Sequence, residues 1–445
     1  MIMPALAPGR MPSPAARSAR CTTAVAATVA ATVLAVLLSG CTAPDRPTAG
    51  SSADVVADAS AGGPTTTHGY VEGAEELAEP RLSLVLADSQ GTLTLFDLLD
   101  TTAVTLPAAG TPVGAMAGDG RFVYPTRSAG SREAVEIVDT GRWTVEHGDH
   151  DHYYRAAERV VGTVDGAGRP AVRVGDRRTA IAFPDSGEIV VLTHDELAAG
   201  ALGTPLRVHW RPHPGLLALP FAGHLLVTAP DETGTASSVQ ALDDLGQPVA
   251  AASAPCPQAS DATTTRVGAV VACADGAVLV TAADGTLTLE KIPYPVGIAP
   301  PARSLDGRTG RPVLAGIPDP AADPGAAGAW QLDTRGRQWT FRPGPGLVAV
   351  SAAGDHSGLL VAVDATGRIR AFGPDGADLG TSEPLLAASV ADPATRSQIQ
   401  LVVDANRAYV SGPAEGIVLE VDYRDGARIA RTFDGLDPRF LQQVG

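Results

Sequence analysis

From residue 80 onward one pattern repeats: a short run of Val, Leu, Ile and Ala, a turn of Asp, Gly, Ser or Asn, and a second such run. Leu82–Ala87, Asp88–Gly91 and Thr92–Asp97 make one example, and Ile181–Phe183 with Gly187 and Glu188–Leu192 a second. The stretches around Gly276, Gly367 and Gly416 repeat it. Apolar alternation around such turns predicts β-hairpins. Helical periodicity is nearly absent, and only Asp195–Leu202 predicts a short helix.

The hairpin glycines give a period. Gly91 and Gly187 are 96 residues apart, Gly187 and Gly285 are 98, and Gly367 and Gly416 are 49. A unit of roughly 45–50 residues matches a four-stranded propeller blade. The predicted fold is therefore all-β, a single β-propeller of seven or eight four-stranded blades over residues 68–445. Ring closure would protect the sheet edges. Two β-sandwiches are the alternative, but they leave the even spacing unexplained.

The N-terminal region breaks the pattern. Residues 1–40 carry Arg10, Arg17 and Arg20, then an Ala-, Val- and Leu-rich stretch ending Leu37-Leu38-Ser39-Gly40-Cys41. A positive start, an apolar core and small residues at the cleavage point are signal-peptide features. Leu-Ser-Gly-Cys resembles a bacterial lipobox, which makes Cys41 the lipidated residue. A transmembrane anchor is the alternative, because the apolar stretch nearly reaches the ~20 residues of a spanning helix. Both readings place the remainder outside the cytoplasm, and the lipobox anchors it to the cell membrane. Residues 41–67 are small and polar, too poor in apolar surface to offset the entropy of ordering, and predict a flexible tether.

Charge and cysteines narrow the function. The chain's net charge of −16 becomes −19 once the three leader arginines are removed. Such a surface repels nucleic acid and anionic lipid and favours cations. Of four cysteines, Cys21 falls in the leader and Cys41 takes the lipid, leaving Cys256 and Cys273. A pair in an oxidising compartment predicts a structural disulfide.

Histidine placement carries the chemistry. His147-Gly148-Asp149-His150-Asp151-His152 puts three of the chain's nine histidines within six residues. In extended chain His150 and His152 face one side, and Gly148 lets His147 turn toward them. Neutral imidazoles with a carboxylate suit Zn²⁺, Cu²⁺ or Ni²⁺, so His147, His150, His152 and Asp149 are candidate metal ligands. A His-rich polar loop without metal is the alternative. His194, after a predicted strand, is a candidate fourth ligand or a helix cap. His213, between Pro212 and Pro214, is a further candidate, whereas His209 and His224 read as structural. Nucleophile elbow, zinc-protease, P-loop and dinucleotide motifs are all missing from the sequence, so no enzyme is expected.

These residues resemble the AztD family of extracytoplasmic zinc metallochaperones. The likeness rests on His68-Gly-Tyr-Val-Glu-Gly-Ala74, His147-Gly-Asp-His-Asp-His-Tyr153, Cys256-Pro257 with Cys273-Ala-Asp-Gly276, and the final segment Ala408–Asp422. It implies a β-propeller that binds zinc through histidines on one face and delivers it to the solute-binding protein of an ABC importer. The chain is expected to act as a monomer. The family pattern has His-His-Gly where this chain reads Arg211-Pro-His213-Pro-Gly215, and a Leu-His-Gly where it reads Gln258-Ala-Ser-Asp261. A further family histidine is missing from Ala171–Gly175. The rival reading is a propeller scaffold for protein–protein interaction that no longer uses metal.

Overall fold

The computed structural model describes residues 69–146, 150–354 and 358–445. The predicted leader, the tether with Cys41, and His68, His147 and Asp149 lie outside the described residues. Eight antiparallel sheets follow in chain order as blades. Seven of them have four strands. The sixth has three regular strands, Val313–Gly316, Gly328–Asp333 and Gln338–Pro343, because residues along its inner edge pair only through the bridges Ala302–Pro318 and Asp306–Ala315. The propeller expectation is met, with eight blades.

The second strand of each blade explains why the apolar runs are continuous. In Ser83–Ala87 every residue is buried. Leu84 and Leu86 join a cluster with Tyr409, Val418 and Phe433 of the eighth blade, while Val85 and Ala87 join Met116, Val123 and Val138 of the second. A strand between two neighbouring blades is apolar on both faces, as strands buried on both sides are. The core is accordingly a ring of eight clusters, one at each blade junction.

The ring closes through the C-terminal strand. Phe440–Val444 pairs with Ser83–Ala87 as the innermost strand of the first blade, with Leu441 opposite Leu86. The backbone N–H of Arg439 donates to the Ala87 carbonyl at 2.9 Å, and the Ser89 N–H donates to Asp437 Oδ2 at 3.0 Å. Cys256 and Cys273 form a disulfide that joins the end of the fourth blade to the second strand of the fifth, inside their shared cluster.

Two features depart from the even spacing. A hairpin, Arg142–Glu146 and Asp151–Arg155, is inserted between the third and fourth strands of the second blade. Two short helices, Ala387–Ala391 and Pro393–Arg396, lie between the seventh and eighth blades, where no helix is expected from the sequence. The expected helix at Asp195–Leu202 is little more than one turn, His194–Ala198. Gly187, Gly367 and Gly91 all adopt positive φ against the chain leading to the next blade, and a Cβ on Gly91 would collide with the Thr111 carbonyl. Gly285 is not equivalent to them. It turns between the third and fourth strands of its blade, and Gly276 holds the corresponding place. Among the described residues no helix is long and apolar enough to cross a membrane.

Leu441 is fully buried across the closure. Leu441→Ala is expected to cost about 2–5 kcal/mol, the usual range for a buried leucine. The urea midpoint measures it, and a loss under about 1 kcal/mol would show that the closing strand is not part of the core.

Candidate functional site

The inserted hairpin carries the histidine cluster, and its base is fixed to the propeller. Gly141 adopts φ +64°, and the Ala156 N–H donates to its carbonyl at 2.8 Å, closing the base. Arg121 is held by Asp139 through two contacts of 3.0 and 2.8 Å, and its guanidinium lies 3.8 Å above the Trp143 ring. A guanidinium over an indole face is attractive and rigid. Trp143 stacks on Tyr154 across the strand pair, with ring centres 5.3 Å apart, and Tyr154 stacks on His152 at 6.3 Å. The file Arg121–Trp143–Tyr154–His152 thus runs from the propeller wall to the candidate site.

At the outer end of that file His150 and His152 converge. Their Nε2 atoms are 3.1 Å apart. Two nitrogens bound to one tetrahedral zinc at about 2.0–2.1 Å lie roughly 3.3 Å apart, so the observed separation fits shared ligation. Glu76 Oε1 lies 2.6 Å from His152 Nδ1. Glu76 arrives on the N-terminal strand Glu75–Leu77, which pairs with Asp151–Arg155 to make a three-stranded sheet outside the ring. Sequence spacing offers no sign of this partner, because it stands 76 residues from His152.

The other sequence candidates sit elsewhere. His213 is buried, with Nδ1 donating to the Arg211 carbonyl at 2.8 Å and Nε2 3.1 Å from Thr228 Oγ1. Both of its ring nitrogens are used to hold a loop. Loss of solvent pushes its pKa below the ordinary value, against the opposing bond to Arg211. His194 lines a cavity of about 430 Å³ with Asp119, Trp143 and Val71. Its Nε2 is 2.9 Å from Thr179 Oγ1; Thr179 donates to the Tyr124 hydroxyl, and Tyr124 to Asp119 Oδ2 at 2.8 Å. Because Thr179 spends its proton on Tyr124, His194 Nε2 carries the proton in this series of bonds. Burial lowers the His194 pKa more than nearby Asp119 raises it. His224 Nδ1 bonds the Ala222 carbonyl at 2.8 Å. Among the described residues no group of three or more His, Cys, Asp or Glu gathers in metal-binding geometry, so neither His194 nor His213 joins the His150–His152 pair.

No protein family model and no curated protein matches the chain. Solved structures do. AztD from Citrobacter koseri superposes with a TM-score of 0.70 at 16% identity, covering 82% of this chain and 97% of that one. A structure of apo AztD from the same organism gives 0.68 at 16% identity, with the same coverage. BamB from Moraxella catarrhalis gives 0.46 at 14% identity, over 78% of this chain and 96% of that one. The expected resemblance to AztD is thus met at the level of fold, as a divergent AztD-like propeller.

Burial leaves His194 and His213 with folded-state pKa values below those of the unfolded chain. The unfolded chain therefore takes up these protons first, and stability present above about pH 6.5 is lost as pH falls through the window between the two values. The urea midpoint is expected to hold from pH 8 to about 6.5 and to fall below it, with His213→Gln flattening part of the fall. A midpoint unchanged between about pH 7 and pH 5 would contradict this account of the two sites.

Proposed function

We propose that this chain is an extracytoplasmic zinc-binding metallochaperone, held on the cell membrane by a lipid on Cys41, which delivers Zn²⁺ to the solute-binding protein of an ABC importer. The observation that carries the reading is the convergence of His150 Nε2 and His152 Nε2, 3.1 Å apart, on a hairpin outside the ring. Two imidazole nitrogens at that separation are a fitting half of a zinc coordination shell. His147 and Asp149 of the same turn are the proposed remaining ligands. The likeness in fold to AztD supports the same reading.

Zinc is cargo in this scheme, so the site must release as well as bind. His150 is exposed and His152 has a side chain 19% accessible, whereas His194 and His213 are enclosed in bonded networks. Ligands near the surface are readily rehydrated when the metal leaves and are open to attack by a second protein's ligands. The net charge of −19 that remains once the three leader arginines are removed favours the approach of a cation. The propeller supplies rigidity and takes no chemical part; we read it as non-enzymatic, monomeric and indifferent to nucleic acid.

A second reading, a metal-independent scaffold for protein–protein interaction, is favoured by one observation: His213 is fully engaged in structural bonds.

Calorimetric Zn²⁺ titration of the soluble chain starting after Cys41 separates the two. The parent is expected to bind with a sub-micromolar Kd, roughly −8 kcal/mol or better. The His150→Ala/His152→Ala variant is expected to lose at least about 100-fold, or about 2.7 kcal/mol. Absence of binding by the parent would sink the metallochaperone reading and leave the scaffold.

A further inference from the structure

The strand Glu75–Leu77 stands apart from the propeller. Its pairing partner is the hairpin strand Asp151–Arg155, with Glu76 opposite Tyr154. His152 is two residues from Tyr154 and shares its face, so Glu76 reaches it diagonally across the pair. That geometry fixes where the protons are. A carboxylate only accepts, so at 2.6 Å from Glu76 Oε1 the His152 Nδ1 carries a proton. In the neutral ring Nε2 then presents a lone pair. The 3.1 Å contact between the two Nε2 atoms is consequently His150 donating to His152.

The two histidines are therefore unequal. His152 already offers the lone pair that a metal requires. His150 must first move its Nε2 proton to Nδ1 or release it to solvent. A carboxylate behind a ligating histidine fixes the tautomer and raises the basicity of the ligating nitrogen.

We propose that Glu76 is the positioning residue of the His150–His152 centre, and that its strand is a detachable part of that centre, so that strand seating and zinc binding reinforce each other. The inference rests on the zinc reading above and adds to it the element that controls grip. Glu75 and Glu76 are exposed, and the Arg155–Glu75 pair at 2.5 Å is an exposed contact of the kind that contributes little. Among the described residues the segment is held by the three strand residues, the contacts of Glu75 and Glu76, and a Trp143 Nε1 bond to the Gly69 carbonyl at 3.1 Å. Such a segment opens at low cost compared with the buried blades. Linkage makes the effect reciprocal: if the seated strand raises zinc affinity, zinc must stabilise the seated strand by the same factor. A partner that lifts the strand away weakens the grip on the metal without touching a ligand.

Three measurements on the soluble chain starting after Cys41 test this. Competition with a chromophoric chelator should show Glu76→Ala binding Zn²⁺ about 10-fold more weakly, the lower end of the range for such partners because Glu76 is half exposed. Glu76→Gln, whose amide oxygen still accepts from Nδ1, should recover most of the affinity. In metal-free protein ¹⁵N-imidazole NMR should find His152 protonated at Nδ1 in the parent and shifted toward Nε2 protonation in Glu76→Ala. Hydrogen exchange at Glu75–Leu77 should slow on zinc addition in the parent and change little in Glu76→Ala. An affinity for Glu76→Ala within twofold of the parent, or an unaltered His152 tautomer, would overturn the proposal. If the parent binds no zinc, the metallochaperone reading and the coupling fail together, while the tautomer measurement still decides whether Glu76 sets His152.

Discussion

Everything in this molecule depends on the pairing of the last strand with the first blade. An open row of eight sheets would expose the apolar face of the first and eighth blades, where Leu84, Leu86, Phe96, Val418 and Phe433 now meet. The closing strand Phe440–Val444 fills the innermost place of the first blade, and Leu441 joins that same cluster. Closure thus supplies both the missing hydrogen bonds of an edge strand and the missing side of a core junction. No single junction is the core; each of the eight is needed so that its neighbours have two sides.

That architecture decides where a functional site has room to form. Strands between blades are buried on both faces, so a polar insertion there would strand charges among apolar side chains. Links between strands carry no such constraint. The histidine hairpin occupies one of them, between the third and fourth strands of the second blade, and the chain then resumes the blade at Arg159. Arg121 is the joint between the two regimes. It is paired with buried Asp139 on one side and covers Trp143 on the other, so a charge pair in the blade orients an aromatic file in the hairpin. The site is outside the ring but not loose at its base.

Much of this is legible in the sequence because blade strands and turns are local. Runs such as Leu82–Ala87 and Leu359–Asp364 set the strand type, and glycines at Gly91, Gly187, Gly367 and Gly416 set the turns. The period is only approximate. Gly285 belongs to a different turn from the others, and the inserted hairpin lengthens the second blade. Pairing of Cys256 with Cys273 is expected from cysteine count and the anticipated compartment, and the disulfide is present. The partners of the histidines are not legible. His213 reads as a ligand because it lies between two prolines, yet its surroundings are set by Thr228 on a neighbouring strand. Glu76 is invisible for the same reason: strand register, not sequence spacing, carries it to His152.

The contrast among the histidines bears on how the proposed cargo site differs from a structural one. His194 and His213 are enclosed, held in bonds to their neighbours, and desolvation disfavours their charged forms. Replacing those bonds with a metal would first require breaking networks that hold loops together. His150 and His152 lie on the hairpin outside the ring, where their Nε2 atoms meet and Glu76 Oε1 reaches His152 Nδ1. Exchanging the bond between them for a shared metal leaves the blades and their junctions unchanged. In the proposed scheme binding and release proceed at the cost of a proton and a short strand, while the ring that positions the hairpin is left as it is.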